Sequence, residues 1–297
     1  MIATEAAEKG DAVSVRFFAP SSGLRRYITT FYAMDIDNST GEVVEDWLHP
    51  EWGNVRFAGE GVMQSAVGDS KPGPTPSCVA TGPTSLATHF RIESGRSWGI
   101  GLLPAGWAKF VDAPAEAYRD RYCDAAIDPA FAAFAPLSAQ LRGQKGDIEA
   151  EAALIEAHMA GLMDRPVEDE EKIIAAHEAL IDPDLATVSD LAERVGVSTR
   201  SFERLSLKAF GFSPKLLLRR QRFLRSLAQF MLDPSLSWLS TLDTHYHDQA
   251  HFVRDFRRFM TMSPSDYAAL DKPAMLAAAK ARMALAGEAV QVLHAPR

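Results

Sequence analysis

The sequence predicts an α+β chain: a β-rich N-terminal domain, barrel-like or a sandwich, with helices, and after it an all-α domain of two helix-turn-helix units joined by a long helix. Three observations predict this. Short apolar runs punctuated by Gly, Pro, Asn and Asp occupy residues 14–127, the pattern of half-buried strands. Apolar residues at helical spacing dominate the part that follows. Residues 185–270 then use one arrangement of helix cap, apolar stripe and Ser-Pro exit twice. With 297 residues the chain has room for two domains, each with its own core.

The candidate strands are S-V-R-F-F-A-P, Y-I-T-T-F-Y-A-M, G-N-V-R-F-A-G and S-W-G-I-G-L-L-P-A-G-W. Their regular spacing suits a sandwich or barrel. Helices are expected to take over after Asp112, as A-P-A-E-A-Y-R-D-R-Y-C, F-A-A-F-A-P-L-S-A-Q-L and D-I-E-A-E-A-A-L-I-E-A-H-M-A-G-L-M. In the last of these Ile148, Ala152, Ile155, Met159 and Leu162 form an apolar stripe, with Glu149, Glu151 and Glu156 away from it. Two roles are open to that stripe: packing on its own β domain, or contact with a second copy of the chain in a homodimer. The charged stretch R-P-V-E-D-E-E at 165–171 reads as a linker, and a helix from about 171 to 180 leads into the next domain. The expected division is 1–165 for a sensing or dimerisation domain, 166–182 for linker and lead-in helix, 183–270 for the helical domain and 271–297 for an Ala-rich tail.

In the first unit, residues 185–205, a short helix carries Leu191 and Ala192, Gly196 breaks it, and Ser198 opens a second helix. Gly supplies the left-handed geometry of a tight turn, and a Ser ahead of a helix accepts an orphan amide. Phe202, Leu205 and Ala209 line one face of the second helix, leaving Thr199, Arg200, Glu203, Arg204 and Lys208 on the other. The second unit follows the same logic. Trp238, Leu239 and Leu242 suit the apolar side of a short helix, and Asp248 is the expected cap of the next. Phe252, Phe256 and Phe259 face inward; Gln249, His251, Arg254, Arg257 and Arg258 face outward or flank the core. Each unit exits through S-P, at Ser213–Pro214 and Ser263–Pro264, which starts a helix with Pro at its first position.

Residues 183–270 resemble the DNA-binding domain of the AraC family of bacterial transcription regulators, most specifically in H-D-Q-A-H-F-V-R-D-F-R-R-F followed by M-S-P-S-D-Y. The resemblance implies two helix-turn-helix subdomains bridged by a helix, here 214–232, each offering a recognition helix to one of two successive major grooves. Carried over by position, Arg200, Glu203 and Arg204 of the first helix and Gln249, His251 and Arg254 of the second would read bases. Thr199, Lys215, Arg219, Arg220, Arg257 and Arg258 would meet phosphates, while Arg222 leans to a packing role in the subdomain junction. The chain departs from the family at His245 and Thr261, where Gly is usual, and at Ser206, where a core aromatic is common. Residues 49–57 and 99–110 resemble β-rich domains that precede such DNA-binding domains and often hold a small effector or the dimer contacts.

Charge distribution agrees with double-stranded DNA as partner. The net charge is −8, yet residues 185–270 hold 12 basic against 8 acidic side chains, and the remainder 19 against 31. A helix-turn-helix serving only protein contacts is the alternative, disfavoured by the outward arginines, since charge is depleted at the centre of protein interfaces. An enzyme in the N-terminal barrel is the more distant one. No G-x-S-x-G, phosphate loop or H-E-x-x-H occurs. DNA-alkylation repair proteins with a similar domain use a four-cysteine zinc centre, and Cys78 and Cys123 are the chain's two cysteines. No cofactor or metal is expected. His49 and His89 lack the H-x-H, Glu and distant His of a cupin-like metal site, and His245, His247 and His251 fall in a turn and a recognition helix. Trp47, Trp52, Trp98 and Trp107 suit either core or the lining of an effector pocket. The acidic start does not read as a signal peptide and no run reaches the length of a membrane span, so a cytoplasmic protein is expected.

Overall fold

A computed structural model describes residues 3–6, 13–37, 43–59, 61, 63–141, 146–233, 238, 240–246 and 248–296. Among the described residues eleven strands run as β1 Ala3–Ala6, β2 Val13–Phe18, β3 Ile28–Ile36, β4 Val44–Leu48, β5 Asn54–Ala58, β6 Met63–Val67, β7 Gly73–Pro74, β8 Cys78–Thr81, β9 Thr88–Ile92, β10 Gly95–Leu102 and β11 Tyr122–Asp124. They form two antiparallel sheets, one in the order β1-β2-β3-β10-β5-β8-β11 and one in the order β4-β9-β6-β7. The two do not join into a closed barrel; the N-terminal part is sandwich-like.

The period of two in β2 decides its faces. Val13, Val15 and Phe17 meet Val44, Phe90 and Ile92 of the small sheet, while Phe18 joins Phe31, Val55 and Ile100 in the larger core beneath the helices. In that larger core Trp52, Trp98 and Trp107 are buried, and Trp47 stacks on His89 with centroids 4.4 Å apart.

The helices are α1 Pro104–Phe110, α2 Ala135–Leu141, α3 Ile148–Gly161, α4 Glu170–Ile181, α5 Val188–Val195, α6 Thr199–Phe210, α7 Pro214–Leu232, α8 Gln249–Met260, α9 Pro264–Ala269 and α10 Pro273–Ala286. Three sequence expectations are corrected here. Helix begins before Asp112, because P-A-G-W-A-K-F forms α1 with Pro104 in its first turn. Residues 113–123 are not a helix: Ala115–Tyr118 is a 3-10 turn and Tyr122 begins β11. The reason is long-range. Asp120 adopts φ 52° and its carboxylate accepts from Ser85 N, Leu86 N and Ser85 Oγ, while β11 pairs with β8.

The third correction concerns Glu151, which is buried rather than solvated. It accepts from Trp98 Nε1 at 2.6 Å, Gly146 N at 2.9 Å and Arg96 Nη1 at 3.3 Å. Those donors make its burial tolerable. Beside it Ala152, Ile155 and Met159 are fully buried in the chain's own core, so the α3 stripe packs inward and is not available to a second copy.

Residues 271–296 return to the β domain. Helix α10 packs on β1, β2 and β4. Its first turn is held by Asp46, whose Oδ2 accepts from Met275 N at 2.9 Å. The segment after it enters the core, where Gln291 Oε1 accepts from Trp52 N at 2.9 Å and Val292 O accepts from Gln221 Nε2 of α7 at 3.1 Å.

Candidate nucleic-acid interface

Helix α5 starts in a capping box: Thr187 Oγ1 accepts from Asp190 N and Asp190 Oδ2 from Thr187 N, each at 3.2 Å. It ends at Gly196, φ 73°. Ser198 then caps α6 by accepting from Ser201 N, and α6 ends at Gly211, φ 82°. These two glycines take the left-handed conformation that closes a helix at least cost. Phe202, Leu205 and Ala209 are buried as the spacing required. Ser206 is buried as well, and its hydroxyl donates to Phe212 O at 2.7 Å, so a small polar residue fits where an aromatic is usual.

Helix α8 is built alike. Asp248 accepts from His251 N at 2.6 Å, and Phe252, Phe256 and Phe259 are fully buried against Phe223 of α7, with centroids 5.1–6.4 Å apart. The two departures from glycine resolve differently. Thr261 takes the left-handed conformation, φ 61°, at the end of α8. His245 does not; its N donates to Asp243 Oδ1 at 2.9 Å in an Asx-type turn. Asp243 is itself held by Arg225, and hydrogen bonds from Arg225 and His245 outweigh burial and keep its carboxyl below the usual range. The short helix expected around Trp238 is not seen in its described residues, where 238, 240 and 241 form turns and Trp238 stacks on Phe230 at 3.8 Å. Leu239 and His247 lie outside the described residues.

Helices α6 and α8 therefore present matched outer faces. On α6, Thr199, Arg200, Glu203, Arg204 and Lys208 are exposed; on α8, Gln249, Arg254, Arg257 and Arg258 are exposed, and Lys215 is exposed in the first turn of α7. The C-terminal ends of both helices abut the β domain: Phe259 O accepts from Ala87 N at 2.7 Å, and Gly211 sits against Pro83 and Ala115. Their N-terminal halves, the part that reaches base edges in helix-turn-helix proteins, are left open. Lys208 is paired with Glu168 of the linker at 2.5 Å.

Two expected contact residues, Arg219 and His251, are engaged by the protein itself, together with Arg222. Arg219 and Arg222 both grip the fully buried Asp255 of α8, which also accepts from Tyr246 OH at 3.1 Å. Arg222 in addition lies over the Tyr246 ring, 4.6 Å from its centroid, the packing role its position suggested. Arg219 keeps part of its surface in solvent. His251 is partly buried 3.1 Å from Arg222 Nη2, and burial followed by the Arg222 charge lowers its pKa.

Arg220 overturns its expected phosphate role in this arrangement, for it is fully buried where the helical domain meets the β domain. Its Nη1 donates to Thr84 O at 2.7 Å and Glu51 O at 3.4 Å, and its guanidinium lies over Trp52. Burial pulls its pKa down to about 9. A one-residue step along α7 from Arg219 turns a side chain by about 100°, which carries Arg220 from the outer face into the junction. Nothing in the sequence around R-R-Q-R marks which of the adjacent arginines turns inward. Conversely, Asp255 and Tyr246, which hold α7 and α8 together, were not singled out by sequence; Asp255 lies one turn from His251 and between exposed arginines.

Among the described residues no group of three or more His, Cys, Asp or Glu could hold a metal ion, and no helix is long and apolar enough to cross a membrane. His49 bonds Tyr267 OH at 2.7 Å, and His89 pairs with Glu45.

Comparison with known proteins gives one family match, to the family described as helix-turn-helix domain, over residues 191–269. No curated protein matches the chain. Among solved structures it is similar to ToxT from Vibrio cholerae, at 9% identity and TM-score 0.42, over 76% of this chain and 97% of that one. It is also similar to the AraC-like transcriptional activator CuxR, at 13% identity and TM-score 0.31, over 76% of this chain and 87% of that one. The sequence motifs, the two capped helices on a bridging helix and the family match agree: residues 191–269 are a helix-turn-helix domain of the AraC type.

Proposed function

We propose that the protein is a sequence-specific DNA-binding transcription regulator that reads two successive major-groove segments, with a small effector held by the N-terminal domain modulating it. One observation carries this reading. Two helices of matched construction, α6 and α8, are fixed to a single bridging helix with their apolar stripes buried and Arg200, Glu203, Arg204, Gln249 and Arg254 exposed along their N-terminal halves. Arg and Gln in such positions suit bidentate contacts to guanine and adenine, and Glu can accept from cytosine. Thr199, Lys215, Arg257 and Arg258, with the exposed part of Arg219, flank those residues as phosphate contacts that set the register. The basic balance of this region, against the acidic remainder, supplies the attraction to the duplex.

Selection of bound duplexes from a random pool by the full-length protein tests this. The expected result is a site with two conserved segments spaced by about one helical turn, roughly 10 base pairs. Failure to enrich any sequence over nonspecific duplex overturns it and favours a helix-turn-helix used for protein contact.

A further inference from the structure

The space between the two sheets is closed on one side by α10 and forms a cavity of about 80 Å³. Its wall is largely apolar, with Phe17 and Phe90 from the sheets and Met275 and Ala278 from α10. Two guanidinium groups reach it, and their situations differ. Arg56 is fully engaged: Nη2 donates to Glu51 Oε1 at 2.6 Å, Nε to Tyr32 OH at 2.7 Å, and Nη1 to Thr81 Oγ1 at 3.2 Å. Arg282, from α10, forms no ion pair among the described residues. Its Nη1 donates to Ala289 O at 3.2 Å, its plane lies over Phe17 with 4.7 Å to the centroid, and its Nε is buried without a hydrogen-bond partner. Glu51, the acidic group whose charge it senses, is already bonded to Arg56. His49 adds no charge to the wall, since burial holds its pKa near 3.

The cavity thus has one cation in excess, and that cation has a donor without an acceptor. A buried guanidinium without a counter-charge is costly, and one monoanion would relieve both deficits. A second negative charge would have nothing to meet. Size limits the remainder: a dry cavity of about 150 Å³ accommodates benzene with its six heavy atoms, so 80 Å³ holds about three or four, the size of formate or acetate. We propose that this cavity binds a short-chain monocarboxylate, with the carboxylate on Arg282 and the hydrocarbon end against Phe17, Met275 and Ala278. The proposal rests on the effector reading above and names the effector's class. The site also has a route to the DNA-binding part. Beyond α10, residues 291 and 292 bond Trp52 and then Gln221 of the bridging helix, so a ligand that tightens α10 onto the sheets acts on α7.

The test uses the full-length protein without DNA, so its failure leaves the DNA-binding reading standing. Thermal melts are recorded with sodium formate, acetate and octanoate, with acetamide, and with sodium chloride at matched ionic strength. A ligand that binds only the folded state raises Tm with concentration. Formate and acetate are expected to raise it, octanoate less, and acetamide and chloride not at all. Arg282→Gln is expected to weaken acetate at least about tenfold, the cost of losing a charge-assisted pair. Arg282→Lys is expected to recover part of that loss. Ala278→Phe fills the cavity while leaving Arg282 in place, and it should abolish the response even if Arg282→Gln fails to fold. Equal stabilisation by acetamide or chloride, tightest binding of octanoate, absence of any shift with formate or acetate, or an undiminished acetate response in Ala278→Phe would each overturn the proposal.

Discussion

The Arg220 guanidinium lies 4.0 Å from the centroid of the Trp52 ring, joining the bridging helix α7 to the segment between β4 and β5. Trp52 is in turn edge-on to Phe210 of α6 and donates its backbone N–H to Gln291 Oε1. One cation–π contact thus sits where the recognition unit, the bridging helix, the β domain and the C-terminal segment meet. A cation over a desolvated indole face is attracted by the ring quadrupole, by about 2 kcal/mol or more.

Arg220→Ala should therefore act on stability before it acts on DNA. It removes the ring contact and the bonds to Thr84 O and Glu51 O and leaves a void, for an expected loss of about 2–5 kcal/mol. A denaturant or thermal melt checks this. Lys215→Ala is the contrast: the side chain is exposed, so the melt should stay put while the salt dependence of DNA binding drops by about one phosphate contact. Equal melting of Arg220→Ala and the parent would contradict the junction described here.

Arg204→Ala and Arg254→Ala should relax base preference at different segments of the selected site, each by about 1–3 kcal/mol. Both side chains are exposed on opposite units, so neither substitution should disturb folding. Competition binding with duplexes mutated one segment at a time separates the two. Relaxation at the same segment by both variants would refute the two-groove arrangement.

Asp46 gives a pH dependence with a definite sign. Burial is the largest influence on its carboxyl and pushes the pKa up to about 7 from 3.8, against hydrogen bonds from Met275 N and Trp47 N and the charge of Lys272. The folded chain then holds a proton that the unfolded chain releases, so the contribution of Asp46 is full below about pH 3.8 and is lost as pH rises towards 7. Asp46→Asn should flatten this part of the Tm-against-pH curve. A parallel curve for the variant would show that Asp46 stays ionised on folding.

Ile155→Glu should unfold the N-terminal domain rather than split a dimer, because Ile155 is fully buried in the chain's own core and the new carboxylate would have no partner there. Loss of near-ultraviolet circular dichroism together with a lower melting point is the expected result. A folded monomer formed from a parent dimer would instead restore the stripe as an interface.

Removing residues 272–297 should destabilise the β domain even though the cut falls after the helix-turn-helix domain. Ala274 and Ala281 of α10 pack with Val13, Val15, Phe17 and Ile36, and Val292 and Gln291 are buried in the larger core. A truncated chain should melt earlier and expose apolar surface to a hydrophobic dye. An unchanged melt would mean that α10 leaves the sheets in solution.

What the sequence determined by itself is the part whose physics is local. Ser198 and Asp248 announced their helices because a cap needs only its own next three residues; Phe202, Leu205, Phe252 and Phe256 announced the buried faces because helical period is a property of adjacent turns; Pro214 marked a helix start and Gly196 a helix end through their backbone restrictions. The tertiary structure decided the rest, since it turned on groups far apart in the chain. Which of the adjacent Arg219 and Arg220 is buried depends on Trp52 and Thr84, more than a hundred residues away. The burial of Glu151 depends on Trp98, the strand at 122–124 on β8, and the return of α10 on the apolar face of β2. An Ala-rich terminal helix gives little indication of where it docks, because small side chains fit many surfaces. Only the sheets it covers show that it carries Arg282 to the wall of a cavity.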